Sequence, residues 1–172
     1  MHNLCQLKLT VQLTNMNSRI SIALFLLLFS SFCQGAELGT FDDIRTQYQT
    51  YRDPTRLSYL FNRCAALQLN VSALLERKGQ KQGAKDFENL AQHYMVLSEA
   101  NERETDKKRG LKSKDTMKIV QRAVANVSES YSERMKRNYL RAGDYIRGDL
   151  QIESELQECM NPDTFVKKAL NN

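Results

Sequence analysis

The chain has no tryptophan, two prolines, two histidines and seven glycines in 172 residues. Each scarcity excludes something. His2 stands near the start, so His93 is the one histidine available to anything after residue 35. A di-iron bundle needs two Glu-x-x-His pairs, and zinc sites need CxxC or HExxH spacings; none of these occurs. A serine hydrolase needs a histidine beside its nucleophile, and neither GxSxG nor SxxK is present. Glycines are too scattered for a Walker or GxGxxG loop that would cradle phosphate. Acidic residues are absent before Glu37, while Lys8 and Arg19 are the only cations there. Setting those two aside takes the 25 basic residues to 23 against 20 acidic, a net +3 for residues 36–172. That is too weak a charge to argue for nucleic acid.

What the first 35 residues do hold is an uncharged run, Ile20 to Phe32, preceded by Arg19 and followed by Cys33-Gln34-Gly35-Ala36. This is the order of charged, apolar and small-residue regions in a secretory signal peptide, with cleavage expected after Gly35. An uncleaved anchor over residues 20–36 is the alternative; its length only reaches the bottom of the roughly 17–25 residues a spanning helix needs. Met16 opens a compact leader by itself, so translation starting at either Met1 or Met16 fits the pattern. The expected organisation is a signal peptide over 1–35 and a single domain over 36–172. The expected location is outside the cytosol, in a bacterial periplasm or secreted, with no stable membrane anchor once the leader is removed.

Export changes the reading of cysteine. Cys5 and Cys33 fall in the leader, which leaves Cys64 and Cys159 as an even pair. In an oxidising compartment such a pair is expected to form a disulfide.

The rest of the chain reads as helix. Apolar residues recur at spacings of three and four, no segment alternates with period two, and the stretches between Pro and Gly are far too long for strands. Thr40 is a cap for a helix carrying Phe41, Ile44, Tyr48 and Tyr51. Asp53-Pro54 starts a second, striped by Leu57, Leu60, Phe61, Cys64, Leu67, Val71, Leu74 and Leu75 and stopped at Lys78-Gly79. A third carries Phe87, Leu90, Ala91, Tyr94 and Leu97 as far as Gly110. A fourth, from Ser113 or Asp115, shows Met117, Val120, Val124, Val127, Tyr131, Met135 and Tyr139. From Asp149 a shorter fifth carries Ile152, Leu156, Cys159 and Met160, and Asn161-Pro162 opens a sixth with Phe165 and Ala169. No internal repeat stands out. The expected class is all-α, an up-and-down bundle of three long helices with shorter ones at either end.

Candidate chemistry is thin. His93 falls on the flank of its helix's apolar face, the place of a boundary residue; pairing it with a methionine as a metal or haem ligand is the alternative function. Glu88, Glu99, Glu129, Glu153 and Glu155 read as solvated carboxylates with no acid–base role. Asn70-Val71-Ser72 and Asn126-Val127-Ser128 match the glycosylation pattern but lie inside expected helices. Arg134, Arg137, Arg141, Tyr145 and Arg147 interleave cations with an aromatic and form the candidate partner surface. The sequence therefore points to a small exported binding or scaffold protein without catalysis, cofactor or metal, whose partner is a protein rather than nucleic acid.

Overall fold

Capping chemistry decides where each helix begins. In the computed structural model, which describes residues 38–111 and 115–171, six helices follow one another: α1 Phe41–Tyr51, α2 Pro54–Arg77, α3 Lys81–Lys108, α4 Thr116–Ala142, α5 Leu150–Cys159 and α6 Pro162–Asn171. There is no strand among the described residues, so the all-α class is as expected. The leader, the start at Met16 and the alternative anchor over 20–36 lie outside the described residues. Among those described, no helix is long and apolar enough to cross a membrane.

Thr40 and Asp43 form a reciprocal capping box at α1, which satisfies two of the amide donors a helix start leaves free. Asp53 accepts from the Thr55 amide ahead of Pro54, and Asp149 accepts from Ile152 at the start of α5. Asn161 accepts the Thr164 amide in the same way for α6. Gly143 ends α4 at φ 72°, in the left-handed region that a side chain disfavours, and its amide closes on the Tyr139 carbonyl.

Two of the three long helices, α2 and α3, are joined by Lys78-Gly79-Gln80 alone, so the chain must reverse. Their hydrogen bonds fix the register. Ser98 Oγ donates to the Ser58 carbonyl at 3.5 Å, and Ser72 Oγ to the Ala84 carbonyl at 2.8 Å. That register sets Ala65 opposite Ala91, both fully buried. Ser58, Ala65 and Ser72 on one helix, and Ala84, Ala91 and Ser98 on the other, thus repeat every seven residues and face each other in order. Small side chains at these three levels let two antiparallel helices approach closely, with the larger Phe61–Tyr94 pair between them. The sequence reading missed this repeat.

A cluster of edge-on rings joins four helices. Phe165 of α6 meets Phe41 of α1 at 5.5 Å and Tyr94 of α3 at 5.6 Å between centroids, and lies 6.3 Å from Phe61 of α2. The α2 stripe from Leu57 to Val71 is buried as expected, and so are Val120, Val124, Val127, Tyr131 and Met135 of α4. Three residues assigned to stripes are exposed: Tyr51 is 76% exposed, Met160 47% and Tyr139 46%. All three stand at the last turn of a helix or just past it, where the chain turns away and the stripe outruns the surface that covers it.

Cys64 and Cys159 are joined, with Cα atoms 5.4 Å apart, tying α5 to the middle of α2. The Gln68 side chain adds a hydrogen bond to the Cys159 carbonyl at 2.9 Å.

Candidate functional site

Two kinds of polar arrangement stand out, one buried and one open. The buried one centres on Arg63, whose side chain is wholly enclosed. Its guanidinium donates to Glu155 Oε1 at 2.5 Å, to the Tyr131 hydroxyl at 3.1 Å and to the Gly39 carbonyl. Tyr131 donates in turn to the other oxygen of Glu155, and Gln151 Nε2 donates to Oε1 at 2.7 Å. The guanidinium also lies 4.8 Å from the centroid of the Phe41 ring. Every nitrogen of Arg63 and both oxygens of Glu155 thus have partners, drawn from α2, α4, α5 and the segment before α1. Burial works against the charge on Arg63, but Tyr131 and Glu155 outweigh it and hold the guanidinium's pKa above its ordinary value.

Glu155 is therefore a correction: it is 3% exposed, not solvated. It sits three residues after Ile152 and four before Cys159, so the α5 stripe carries it into the core. Arg63 stands likewise between Leu60 and Leu67. A second enclosed arginine, Arg45 of α1, pairs with Asp42 and with Glu158 of α5, and Lys168 of α6 reaches Glu158 at 3.1 Å. The Arg45 contacts bind α1, α5 and α6 to one another, while the Arg63 network binds α5 to α2 and α4.

Burial also decides the tyrosines. Burial, reinforced by the Glu155 carboxylate, pushes the Tyr131 hydroxyl well above its ordinary 10.0, and burial raises Tyr94 too. The unfolded chain ionises these groups near pH 10 while the folded chain does not. Above that pH the unfolded state binds fewer protons, so stability falls as pH rises and is untouched below it. In an alkaline titration, the tyrosinate absorbance of Tyr94 and Tyr131 is expected to appear only together with loss of helical circular dichroism. Full tyrosinate absorbance in a still-helical protein would contradict the burial.

The open arrangement is a groove of about 340 Å³ between the last turns of α2 and the middle of α4. Asn70, Ala73, Leu74 and Arg77 line it from α2; Ser132, Met135 and Lys136 from α4; Tyr145 closes one end. Tyr145 is held by Tyr139, their rings stacked at 4.5 Å, which accounts for the exposed Tyr139. The Asn70 amide spans the seam, donating to Ser128 Oγ at 2.8 Å and to the Ser128 carbonyl at 3.0 Å. The two glycosylation patterns meet there: the asparagine of one is bonded to the serine of the other.

The expected partner surface divides. Arg134 forks onto Asp149, at 2.6 and 2.8 Å, and donates to Gln151, so it ties α4 to α5. Its hydrogen bond to Asp149 raises the Arg134 pKa. Burial acts to raise the Asp149 carboxyl, but Arg134 and the Ile152 amide hold it below its ordinary value. Arg141 donates to Asn138 and to the Gly148 carbonyl, bracing the turn between α4 and α5. Tyr145 faces the groove. Arg137 and Arg147 remain at the surface, with Glu133 4.0 Å from Arg137. Arg77 and Lys136, which the sequence reading did not select, join them at this end of the molecule. His93 is exposed, and among the described residues no three His, Cys, Asp or Glu side chains converge as a metal site would require.

No family model matches the chain, and neither a curated protein nor a solved structure matches it.

Proposed function

We propose that the protein is a small non-catalytic binding or scaffold module working outside the cytosol, an up-and-down helical bundle released from its signal peptide. One observation carries the reading: the buried charges are spent on holding helices together, while four exposed cations stand in the segments that also carry the groove and the Tyr139–Tyr145 stack. Arg77, Lys136, Arg137 and Arg147 all lie there, at the end of α2, the latter half of α4 and the turn that follows. Cations beside aromatic rings on a rigid surface are the composition of protein-binding patches. The Cys64–Cys159 pair is consistent with an oxidising compartment.

Co-purification from the exported fraction of the native host tests this. The wild-type chain is expected to retain a stoichiometric protein partner, and R137E/R147E to lose at least tenfold of it. A chromophore or stoichiometric metal travelling with the purified protein, or no partner with either form, would overturn the reading in favour of a cofactor-carrying bundle using His93.

A further inference from the structure

We infer that the α2–α4 groove holds an extended segment of the partner in which an apolar side chain is flanked by carboxylates. This deepens the binding reading above and rests on it. The floor of the groove is apolar: Met135 is almost fully buried, Leu74 packs on the core, and the Ala73 methyl leaves the α2 side low. The rim is cationic on both sides, with Arg77 on α2 and Lys136 on α4. Neither has a carboxylate within 4.0 Å among the described residues, whereas Arg45, Arg63, Arg103 and Arg134 all do. Their charges are free for a ligand.

Shape and chemistry narrow the occupant. At about 340 Å³ the groove is at the lower end of the roughly 300–1,000 Å³ of small-molecule sites, room for a few side chains. A bare phosphate would want convergent donors, but the floor offers methyl and thioether groups, and the Asn70 amide is already engaged with Ser128 and Ala66. A nucleobase would want an open aromatic face, and Tyr145 has one face covered by Tyr139. An extended peptide sends alternate side chains to one side, so the sequence Glu-x-Leu-x-Glu sets one apolar group over the floor and one carboxylate toward each rim. Arg77 gives planar two-pronged hydrogen bonding to one of them and Lys136 a point charge to the other.

The probe is acetyl-Glu-Ser-Leu-Ser-Glu-amide, titrated into the oxidised, isotopically labelled mature chain and followed by amide chemical shifts. Saturable shifts confined to Asn70, Ala73, Ser132, Lys136 and Tyr145 are expected. Affinity is expected to fall at least fivefold for the Gln-Ser-Leu-Ser-Gln peptide, and about tenfold in the double variant R77Q/K136Q, whose replaced side chains are exposed and leave the fold intact. Raising sodium chloride from about 0.05 to 0.5 M should weaken the acidic peptide alone. Equal affinity for the acidic and neutral peptides, shifts elsewhere on the molecule, or the same shifts with inorganic phosphate or uridine monophosphate at equal concentration would each overturn the proposal. Native co-purification separates the two readings. If R77Q/K136Q retains the partner as well as wild type does, the groove assignment falls while the binding module stands. If the wild type itself retains no partner, the module falls.

Discussion

Arg63→Met is expected to destabilise the protein by about 3–5 kcal/mol, a large share of the roughly 5–15 kcal/mol by which a domain is stable. Methionine fills much of the arginine's volume, so the cost is not mainly a cavity. What it leaves behind is Glu155, a carboxylate 3% exposed whose one ion-pair partner within 4.0 Å among the described residues is Arg63. Tyr131 and Gln151 still donate to it, but two neutral donors do not replace a guanidinium in an enclosed site. Glu155→Gln should cost a similar amount by stranding Arg63. The informative variant is the double, R63M/E155L, which removes both charges. It should recover more than half of the single-variant loss, because a buried ion pair contributes little net stability while either half alone is costly. Urea unfolding of the four proteins measures this; a loss under about 1 kcal/mol for Arg63→Met would mean that water reaches the site.

Reduction of Cys64–Cys159 is expected to cost roughly 4–5 kcal/mol, the chain-entropy value for a closed loop of its length, since the cysteines are 95 positions apart. The structure specifies where the loss appears. α5 is held to α2 by the disulfide, the Gln68 bond and the Arg63–Glu155 pair, and α6 by the Phe165 cluster, the buried Ala169, Val166 and Lys168, with no covalent tie. Hydrogen exchange in the reduced protein should therefore accelerate first in α6, then in α5, while α2 and α3 keep their protection. Loss of the Arg63 network and of the disulfide should be less than additive, since either one already loosens α5. Uniform acceleration across α2 and α3 would show instead that the bond supports the whole molecule.

Much of the fold was legible because caps and stripes are local. Thr40, Asp53, Asp149 and Asn161 mark helix starts by their own side-chain chemistry, and the Cys64 and Cys159 positions on their stripes pointed both sulfurs inward. The errors share a cause. Glu155 occupies a mid-stripe position but reads as solvated when charge alone is considered, and Arg63, mid-stripe on α2, is not singled out; two opposite charges, each at a core position of its own stripe, were the available signal for a buried pair. The seven-residue spacing of Ser58, Ala65 and Ser72 against Ala84, Ala91 and Ser98 was also present, hidden because attention to large apolar residues passes over small ones. The groove was not legible. It depends on how α2 and α4 diverge and on Tyr145 folding back from a turn, neither of which periodicity encodes. Of its lining, Tyr145 alone stood in the expected partner surface.

The seam between α2 and α3 has a property its close packing conceals. Small residues recur on both helices with one period, so the small-residue contacts alone would also be met if one helix slid along the other by seven residues, about 10 Å. The Phe61–Tyr94 ring pair has no equivalent one period away and favours the observed alignment. Lys78-Gly79-Gln80 adds to that choice by leaving little slack, with Gly79 at φ 74° completing the reversal. A longer linker at this point would leave the register of two helices many times its length to that one pair of rings.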